Sequence, residues 1–155
     1  MTPENLQDTL CEEIKRITRG VLVQNEGREW CDLNVYPQLT PLAESEDDTS
    51  PFPYCTVGLT NNQVTGIREP QKQEVVLYFG ICYWDKDRQW QRSVLTMIER
   101  IKKRFLTDPL LGPFSCRPEM ESAPSDEDDV THPYYFGGMK LTFDMPNYER
   151  EDDYC

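Results

Sequence analysis

Residues 73–84, QEVVLYFGICYW, are the segment that most constrains the fold of this chain. Apolar or aromatic residues occupy every second position from Val75 to Tyr83, which is the period of a β-strand. The alternate positions from Val76 to Trp84 are also mostly apolar, so neither face of the strand suits water. The pattern predicts a central strand that is covered on both sides.

An amphipathic helix is predicted over residues 3–19. Thr2 suits the N-cap, Pro3 suits the first helical position, and Gly20 suits the end of the helix. Apolar residues recur at spacings that place them on one stripe of this helix: Leu6, Leu10, Ile14 and Ile17. We expect the stripe to face the core.

A second helix is predicted within residues 85–106, directly after the central strand. Asp85 or Asp87 would cap its start, and Pro109 prevents it from continuing. Its apolar residues fall at helical spacing: Trp90, Val94, Met97, Ile98, Ile101 and Phe105. Because the connection is short, we expect the helix to pack on the preceding strand. The predicted contact joins Val75, Leu77, Phe79 and Ile81 to Trp90, Val94, Ile98 and Ile101.

Shorter strand patterns surround these elements. Residues 54–62 and 113–120 each favour a strand, and residues 21–39 favour one or two short strands with a turn. A long strand with a glycine kink closes the chain from Tyr134. Strands on both sides of a helix indicate an α+β fold. We therefore predict a single α+β domain over residues 1–155, with two main α-helices packed against an antiparallel or mixed β-sheet.

Proline, serine and acidic residues dominate three segments. We predict acidic loops near residues 40–51 and 119–132, and an acidic tail over residues 147–155. Because such segments bury too little to order themselves, residues 44–50 and 121–130 are expected to be mobile in an isolated subunit. Neither loop has the alternating ligands, central glycine and distal glutamate of a calcium loop, so we predict no metal site there.

The net charge of −12 disfavours two kinds of partner. A chain with 28 acidic and 16 basic residues lacks the basic face that nucleic-acid backbones and anionic membranes attract. The first ten residues have no basic segment or apolar core of a signal peptide. The longest apolar run, residues 75–84, is shorter than the ~20 residues of a membrane helix. We expect a protein of a reducing cytoplasm.

Six cysteines are spread along the chain at wide, irregular spacing: Cys11, Cys31, Cys55, Cys82, Cys116 and Cys155. Zinc ligands usually occur as pairs two to four residues apart, and no such cysteine pair is present in the sequence. We interpret the six as free thiols, some of them buried in strands.

The sequence offers little for catalysis. The one histidine, His132, precedes a proline in a predicted loop and has no neighbouring serine or cysteine with a nucleophile signature. The glycine-rich phosphate-binding patterns are absent from the sequence. The basic run of residues 100–104 is short and flanked by acids, so it is interpreted as a charged helix end. We predict a protein that is not an enzyme, without catalytic residues, cofactor or metal.

The closing strand carries the candidate functional residues. Tyr134, Tyr135 and Phe136 supply aromatic area of the type enriched at protein interfaces. Gly137 and Gly138 favour a bulge that re-aims the strand, and bulges collect at sheet edges. We predict that these five residues lie at a subunit interface formed through an unpaired edge. Ordinary core packing is the alternative for the same residues.

An ordered series of motifs resembles the tail terminator or tail completion proteins of long-tailed bacteriophages. The series covers the chain from residue 52 onward, together with the first helix. It comprises Phe52-Pro53, Trp84-Asp85, the helix from Trp90 to Leu106, Pro109–Leu111 and Pro133–Pro146. The six cysteines and the loop of residues 45–51 depart from the family pattern.

The resemblance implies a structural virion protein. Such proteins form a ring, usually a hexamer, that caps the head-proximal end of the tail tube and joins it to the neck. The implied partners are further copies of the chain, the tail tube protein and a neck or head-completion protein. Assembly would take place in the bacterial host cytoplasm, and DNA would pass through the acidic ring without specific binding.

Two other functions stay open at this point. A head-completion or head–tail joining protein of the neck is the alternative within the virion. An acidic DNA-mimic inhibitor is less favoured, because its carboxylates would cover an exposed face, whereas here they are pooled in loops and at the end of the sequence.

Overall fold

The computed structural model describes residues 2–40, 51–85, 87, 89, 91–124 and 132–146. This part of the chain forms two helices and one nine-stranded sheet, so the predicted α+β fold is confirmed. The helices are α1 (Pro3–Thr18) and α2 (Gln91–Thr107). The strands are β1 (Val23–Gln24), β2 (Trp30–Cys31), β3 (Asn34–Pro37), β4 (Tyr54–Gln63), β5 (Gln71–Cys82), β6 (Leu110–Leu111), β7 (Phe114–Cys116), β8 (Glu121–Pro124) and β9 (Tyr134–Met145).

The start of α1 is fixed by a reciprocal cap. The Asn5 N–H donates to the Thr2 hydroxyl at 3.2 Å, and the Thr2 N–H donates to the Asn5 side-chain oxygen at 2.9 Å. Pro3 takes the first helical position, as predicted. After α1, Gly20 has a φ of +87°, a left-handed conformation that glycine adopts at little cost. The helix predicted over residues 3–19 is therefore confirmed to within one residue at its end.

Two long strands form the centre of the sheet. β5 and β9 pair antiparallel from Gln71 with Met145 to Cys82 with Tyr134. β4 pairs antiparallel with β5, and β3 pairs parallel with β4, so the sheet is mixed. β7 and β8 pair with β9, and β6 pairs with β7. The β1–β2 hairpin joins the end of β5 through Gln24 and Cys82.

One buried cluster holds the predicted helix–strand contact. It contains the β5 residues Val75, Leu77, Phe79 and Ile81 together with the α2 residues Val94, Ile98 and Ile101. The α1 stripe belongs to the same cluster, and the Phe105 ring meets the Phe143 ring edge-on at 5.5 Å. Trp90 lies outside the described residues. The remaining residues of the predicted contact are thus confirmed as one core.

The second face of β5 is not covered by either helix of the described chain. Tyr78 is 58% exposed, and its neighbour on that face, Val76, is half-buried. The prediction of two covered faces is therefore wrong. β5 is central because strands pair with both of its edges, whereas the helices cover one of its faces. We call the other face of the sheet the open face.

The closing strand differs from its prediction in two ways. β9 pairs with β5 along one edge, and β7 and β8 pair with its other edge, so β9 is not an edge strand. Its register with β5 is uninterrupted through Gly137 and Gly138, so the predicted glycine bulge is wrong. The pairing of both neighbouring strands holds these two glycines in regular extended backbone.

Two boundary predictions also change. α2 begins at Gln91, so neither Asp85 nor Asp87 is its N-cap. Asp87 instead accepts hydrogen bonds from the Gln89 N–H at 3.1 Å and the Tyr83 hydroxyl at 2.6 Å, and the second bond raises the pKa of Tyr83 to about 12. Residues 121–124, predicted as part of an acidic loop, form β8. The described residues at the ends of the predicted loops, 40, 51, 119, 120 and 132, lie outside helices and strands. The rest of the predicted loops and tail, 41–50, 125–131 and 147–155, lies outside the described residues.

The described cysteines are free thiols, and four of them are buried: Cys11, Cys55, Cys82 and Cys116. Burial raises the pKa of Cys11 to about 11 and the pKa of Cys82 and Cys116 to about 12. These thiols are therefore poor nucleophiles near neutral pH. Cys155 lies outside the described residues. Neither of the two helices in the described residues is long and apolar enough to cross a membrane.

Candidate assembly interface

Aromatic rings gather on the open face of the sheet, near the start of β9. The Phe52 ring centroid lies 5.0 Å from that of Tyr54, 4.9 Å from that of Tyr134 and 6.2 Å from that of Phe136. Tyr78 projects from β5 on the same face, because its neighbour Phe79 points into the core. We call Phe52, Tyr54, Tyr78, Tyr134 and Phe136 the aromatic patch.

Much of the aromatic patch is open to water. Tyr78 is 58% exposed and Phe136 is 38% exposed, while the other three residues are half-buried. Aromatic residues that share one exposed surface are typical of protein interfaces, since each ring offers a large, rigid contact area. The aromatic patch is therefore the candidate interaction surface of the described chain.

Gly80 makes room for the Tyr54 ring. A Cβ atom at Gly80 would lie 2.4 Å from two carbons of that ring, closer than real Cβ atoms approach other atoms. In the strand register, Gly80 stands between Tyr54 and Phe136. The missing side chain lets the ring of Tyr54 lie across β5. The patch thus depends on a glycine as much as on its aromatic residues.

Gly80→Ala is expected to displace the Tyr54 ring and to lower the free energy of unfolding by about 1–3 kcal/mol. Gly138→Ala is a matched control, because its Cβ would meet the Leu77 carbonyl oxygen at an ordinary 3.7 Å. Urea unfolding of both variants measures the difference. Equal unfolding free energies for the two variants would contradict the role of Gly80.

Hydrogen bonds tie the patch to the β1–β2 hairpin. The Tyr134 hydroxyl donates to the Glu26 carboxylate at 3.0 Å, and this bond raises the pKa of Tyr134. The Trp84 indole N–H donates to the Asn25 carbonyl at 3.1 Å, and the Arg28 guanidinium lies 4.6 Å from the centre of the Trp84 ring. These contacts hold the turn of the hairpin next to the start of β9.

The opposite end of the open face is charged. Lys140 and Glu74 form an ion pair at 3.2 Å across β9 and β5. Arg117 and Asp144 form a second pair at 2.9 Å. All four side chains are partly exposed, so these pairs contribute little stability but make this end of the face polar. The open face is therefore aromatic at one end and polar at the other.

The five residues of the predicted interface lie in different environments in the structure. Tyr134 and Phe136 lie on the open face and belong to the aromatic patch. Tyr135 is 4% exposed and lies in the core, so its ring cannot supply contact area to a partner. Gly137 and Gly138 lie within the regular pairing of β9. That Tyr134 and Phe136 form an interface stays a prediction.

Sequence reasoning missed three members of the patch. Phe52, Tyr54 and Tyr78 come from β4, its entry and β5, which are distant in sequence from β9. The signal for Tyr78 was present, because strand alternation placed it opposite Phe79. The glycine at residue 80 was a second signal, since glycine inside a strand often marks the close approach of another group.

His132 has a structural contact. Its Nδ1 atom shares a hydrogen bond of 2.7 Å with the hydroxyl of Tyr135, which is buried. The contact joins the segment before β9 to the core. Within the described ranges, no group of three or more histidine, cysteine, aspartate or glutamate side chains is placed to hold a metal ion.

The chain was also compared with known proteins. No protein-family model matches it, and no curated protein gives a significant match.

Proposed function

We propose that this protein is a structural, non-enzymatic virion component, a ring-forming tail terminator of a long-tailed bacteriophage. Copies of the chain would join through the open face of the sheet, in one contact centred on the aromatic patch. The ring would cap the head-proximal end of the tail tube and join it to the neck. Its partners would be further copies, the tail tube protein and a neck protein, in the virion and in the host cytoplasm where it assembles.

The observation that carries this proposal is the aromatic patch on an uncovered sheet face. A stable interface buries about 800 Å² on each partner, with an apolar centre and a polar rim. The patch supplies the centre, and the ion pairs of Glu74 with Lys140 and Arg117 with Asp144 supply part of a rim. The resemblance of the ordered motifs to tail terminators supports the place of this surface in a ring.

The charge of the chain also supports the proposal. A ring that DNA passes through must not hold the phosphate backbone, and a net charge of −12 repels it. The described patch is aromatic and the ion pairs beside it are neutral overall, so the surface suits a protein partner better than a nucleic acid.

Tail capping tests the proposal with tail tubes assembled in the absence of the native protein. We expect the unaltered chain to bind tube ends and to allow heads to join, as seen by electron microscopy. The double variant Tyr78→Ser with Phe136→Ser should stay folded and lose at least tenfold in capped ends, because it removes the most exposed rings of the patch.

The matched control replaces two apolar residues exposed elsewhere, Leu22→Ser with Leu106→Ser, which are 48% and 58% exposed. This control should cap tubes as well as the unaltered chain does. Capping by the patch variant at the native level would overturn the interface. In a phage that lacks the protein, normal tails beside heads that leak DNA would overturn the terminator role and favour the head-completion alternative.

A further inference from the structure

The excess negative charge of the chain is confined to three stretches of sequence. Residues 41–50, 125–131 and 147–155 each contain four acidic residues, and together they contain one basic residue, Arg150. They therefore hold twelve of the 28 acidic residues. In the rest of the chain, 16 acidic residues nearly balance 15 basic ones. Outside the three stretches the chain is thus close to neutral, so the charge of each surface there depends on its local residues.

One local surface of the described fold is basic. A groove of about 620 Å³ lies between α1 and α2, on the side of the sheet opposite the aromatic patch. Its charged lining residues are Arg16, Arg100, Lys103 and Arg104, with Glu13 and Asp108 as the acids. We call this the basic groove. It carries an excess of two positive charges, in a chain that is strongly acidic as a whole.

The arginines of the basic groove are held in place. Arg16 and Arg104 both donate to the Glu13 carboxylate, Arg104 at 2.8 Å, and the two guanidinium groups hold the pKa of Glu13 below its usual value. Arg100 donates to the Ile17 and Arg19 carbonyl oxygens at 3.3 and 3.2 Å. Arg104 also donates to the Asp108 and Leu110 carbonyl oxygens, so most of its donors are used. The Arg16 side chain makes no other hydrogen bond within the described residues, so most of its five donors remain for a further acid.

Lys103 completes the charged lining of the groove. Its side chain is exposed and makes no hydrogen bond or ion pair with another described residue. Its neighbour Lys102 is different, because it pairs with Glu99 at 3.1 Å. The basic groove therefore combines arginines in fixed positions with an exposed ammonium group, which suits a segment that carries several carboxylates.

We propose that the basic groove binds a second copy of this chain through the acidic stretches of residues 41–50 and 125–131. The first stretch ends two residues before Phe52, and the second ends three residues before Tyr134. The C-terminal end of each stretch is therefore joined to a segment that carries a residue of the aromatic patch. The third stretch, residues 147–155, follows the opposite end of β9.

The geometry makes this contact head-to-tail. Each copy presents the aromatic patch, whose segments are joined to the acidic stretches, on one face of the sheet and the basic groove on the other. Two different surfaces that complement each other form a heterologous contact, which closes into a ring when the rotation between copies permits. The inference rests on the proposed self-assembly and extends it, since it names the surface that receives the neighbouring copy.

Carbodiimide cross-linking tests the contact on the full chain. The reagent joins an ammonium group to a carboxylate in direct contact, and an equimolar mixture of ¹⁴N- and ¹⁵N-labelled chains identifies links between copies. We expect links from Lys103 to residues 44–48 or 126–129 of the other copy. We expect at least fivefold fewer such links from Lys102.

Charge reversal supplies a second readout. Because Lys103 is the only amine among the described residues that line the groove, this readout is the dimer fraction without cross-linking, measured by analytical ultracentrifugation. Arg16→Glu with Lys103→Glu should lower that fraction at least fivefold. The matched control, Lys15→Glu with Lys102→Glu, makes the same charge change one residue away on each helix and should keep the dimer. Raising the salt concentration to about 1 M should reduce the native links, because it screens exposed charges beyond about 3 Å.

Several results would overturn the inference. These are the absence of Lys103 links between copies, links to residues 147–155 alone, or equal loss of dimer in both charge variants. Groove-dependent binding of a short DNA duplex would overturn it in favour of a phosphate ligand. If tail capping survives in the Arg16→Glu, Lys103→Glu variant, this groove contact fails while the proposed function stands.

Discussion

Ile98→Asp is expected to abolish the folded state. Ile98 is 1% exposed in the middle of α2 and lies in the core with Leu77 and Phe79. A carboxylate there would lose its water without gaining a cation, which costs several kcal/mol even if it takes up a proton. Domains of this size have a free energy of unfolding of about 5–15 kcal/mol, so this cost is a large fraction of their stability. Circular dichroism and the yield of soluble protein measure the result.

Leu95→Asp provides the control for this prediction. Leu95 lies on the same helix but is 42% exposed, so an aspartate there keeps its contact with water. We expect a change in unfolding free energy of about 1 kcal/mol or less. A cooperative thermal transition of the Ile98→Asp variant near that of the Leu95→Asp variant would show that α2 does not bury Ile98.

The main elements could be predicted because their signals are local. The stripe of Leu6, Leu10 and Ile14 repeats at the period of a helix, and all three residues are fully buried. The alternation from Val75 to Ile81 likewise identified the buried face of β5. In both cases the pattern that predicts the element is also the pattern that buries it.

The errors arose where the outcome depends on residues that are distant in sequence. β8 has the composition of a loop, yet Ser122 and Ala123 pair with Met139 and Gly138 of β9. The edge of β9 appeared free in the sequence because its partners come from short strands with weak patterns. Both faces of β5 carry apolar residues, so the sequence indicated two covered faces and did not show that the helices would leave the face of Tyr78 open.

The candidate site shows the same division. Tyr134 and Phe136 could be identified from the sequence, because aromatic residues cluster near the start of β9. Their contacts with Phe52 could not, since they depend on the pairing of β4 with β5 and of β5 with β9. The face of the sheet that Tyr135 occupies depends in turn on the register of β9. A shift of one residue would exchange the faces of Tyr135 and Phe136.

Tyr135→Ser is expected to destabilise the protein far more than Phe136→Ser does. The Tyr135 ring is 4% exposed, and its hydroxyl shares a hydrogen bond of 2.7 Å with His132. Removing a buried ring costs about 3–5 kcal/mol, which corresponds to roughly 10 °C in Tm for a chain of this length. Phe136 is 38% exposed, so its replacement should cost about 1 kcal/mol.

Assembly should show the reverse order for these adjacent residues. Phe136→Ser removes a ring from the aromatic patch and should weaken association or tail capping while the melting temperature stays nearly unchanged. Tyr135→Phe isolates the hydroxyl, keeps the buried ring, and should restore most of the stability that Tyr135→Ser loses, because packing outweighs one hydrogen bond. Thermal melts of the three variants, compared with capping at a temperature where all are folded, measure both effects. A larger fall in Tm for Phe136→Ser than for Tyr135→Ser would mean that β9 presents the opposite face to the core, and the assignment of the aromatic patch would fail with it.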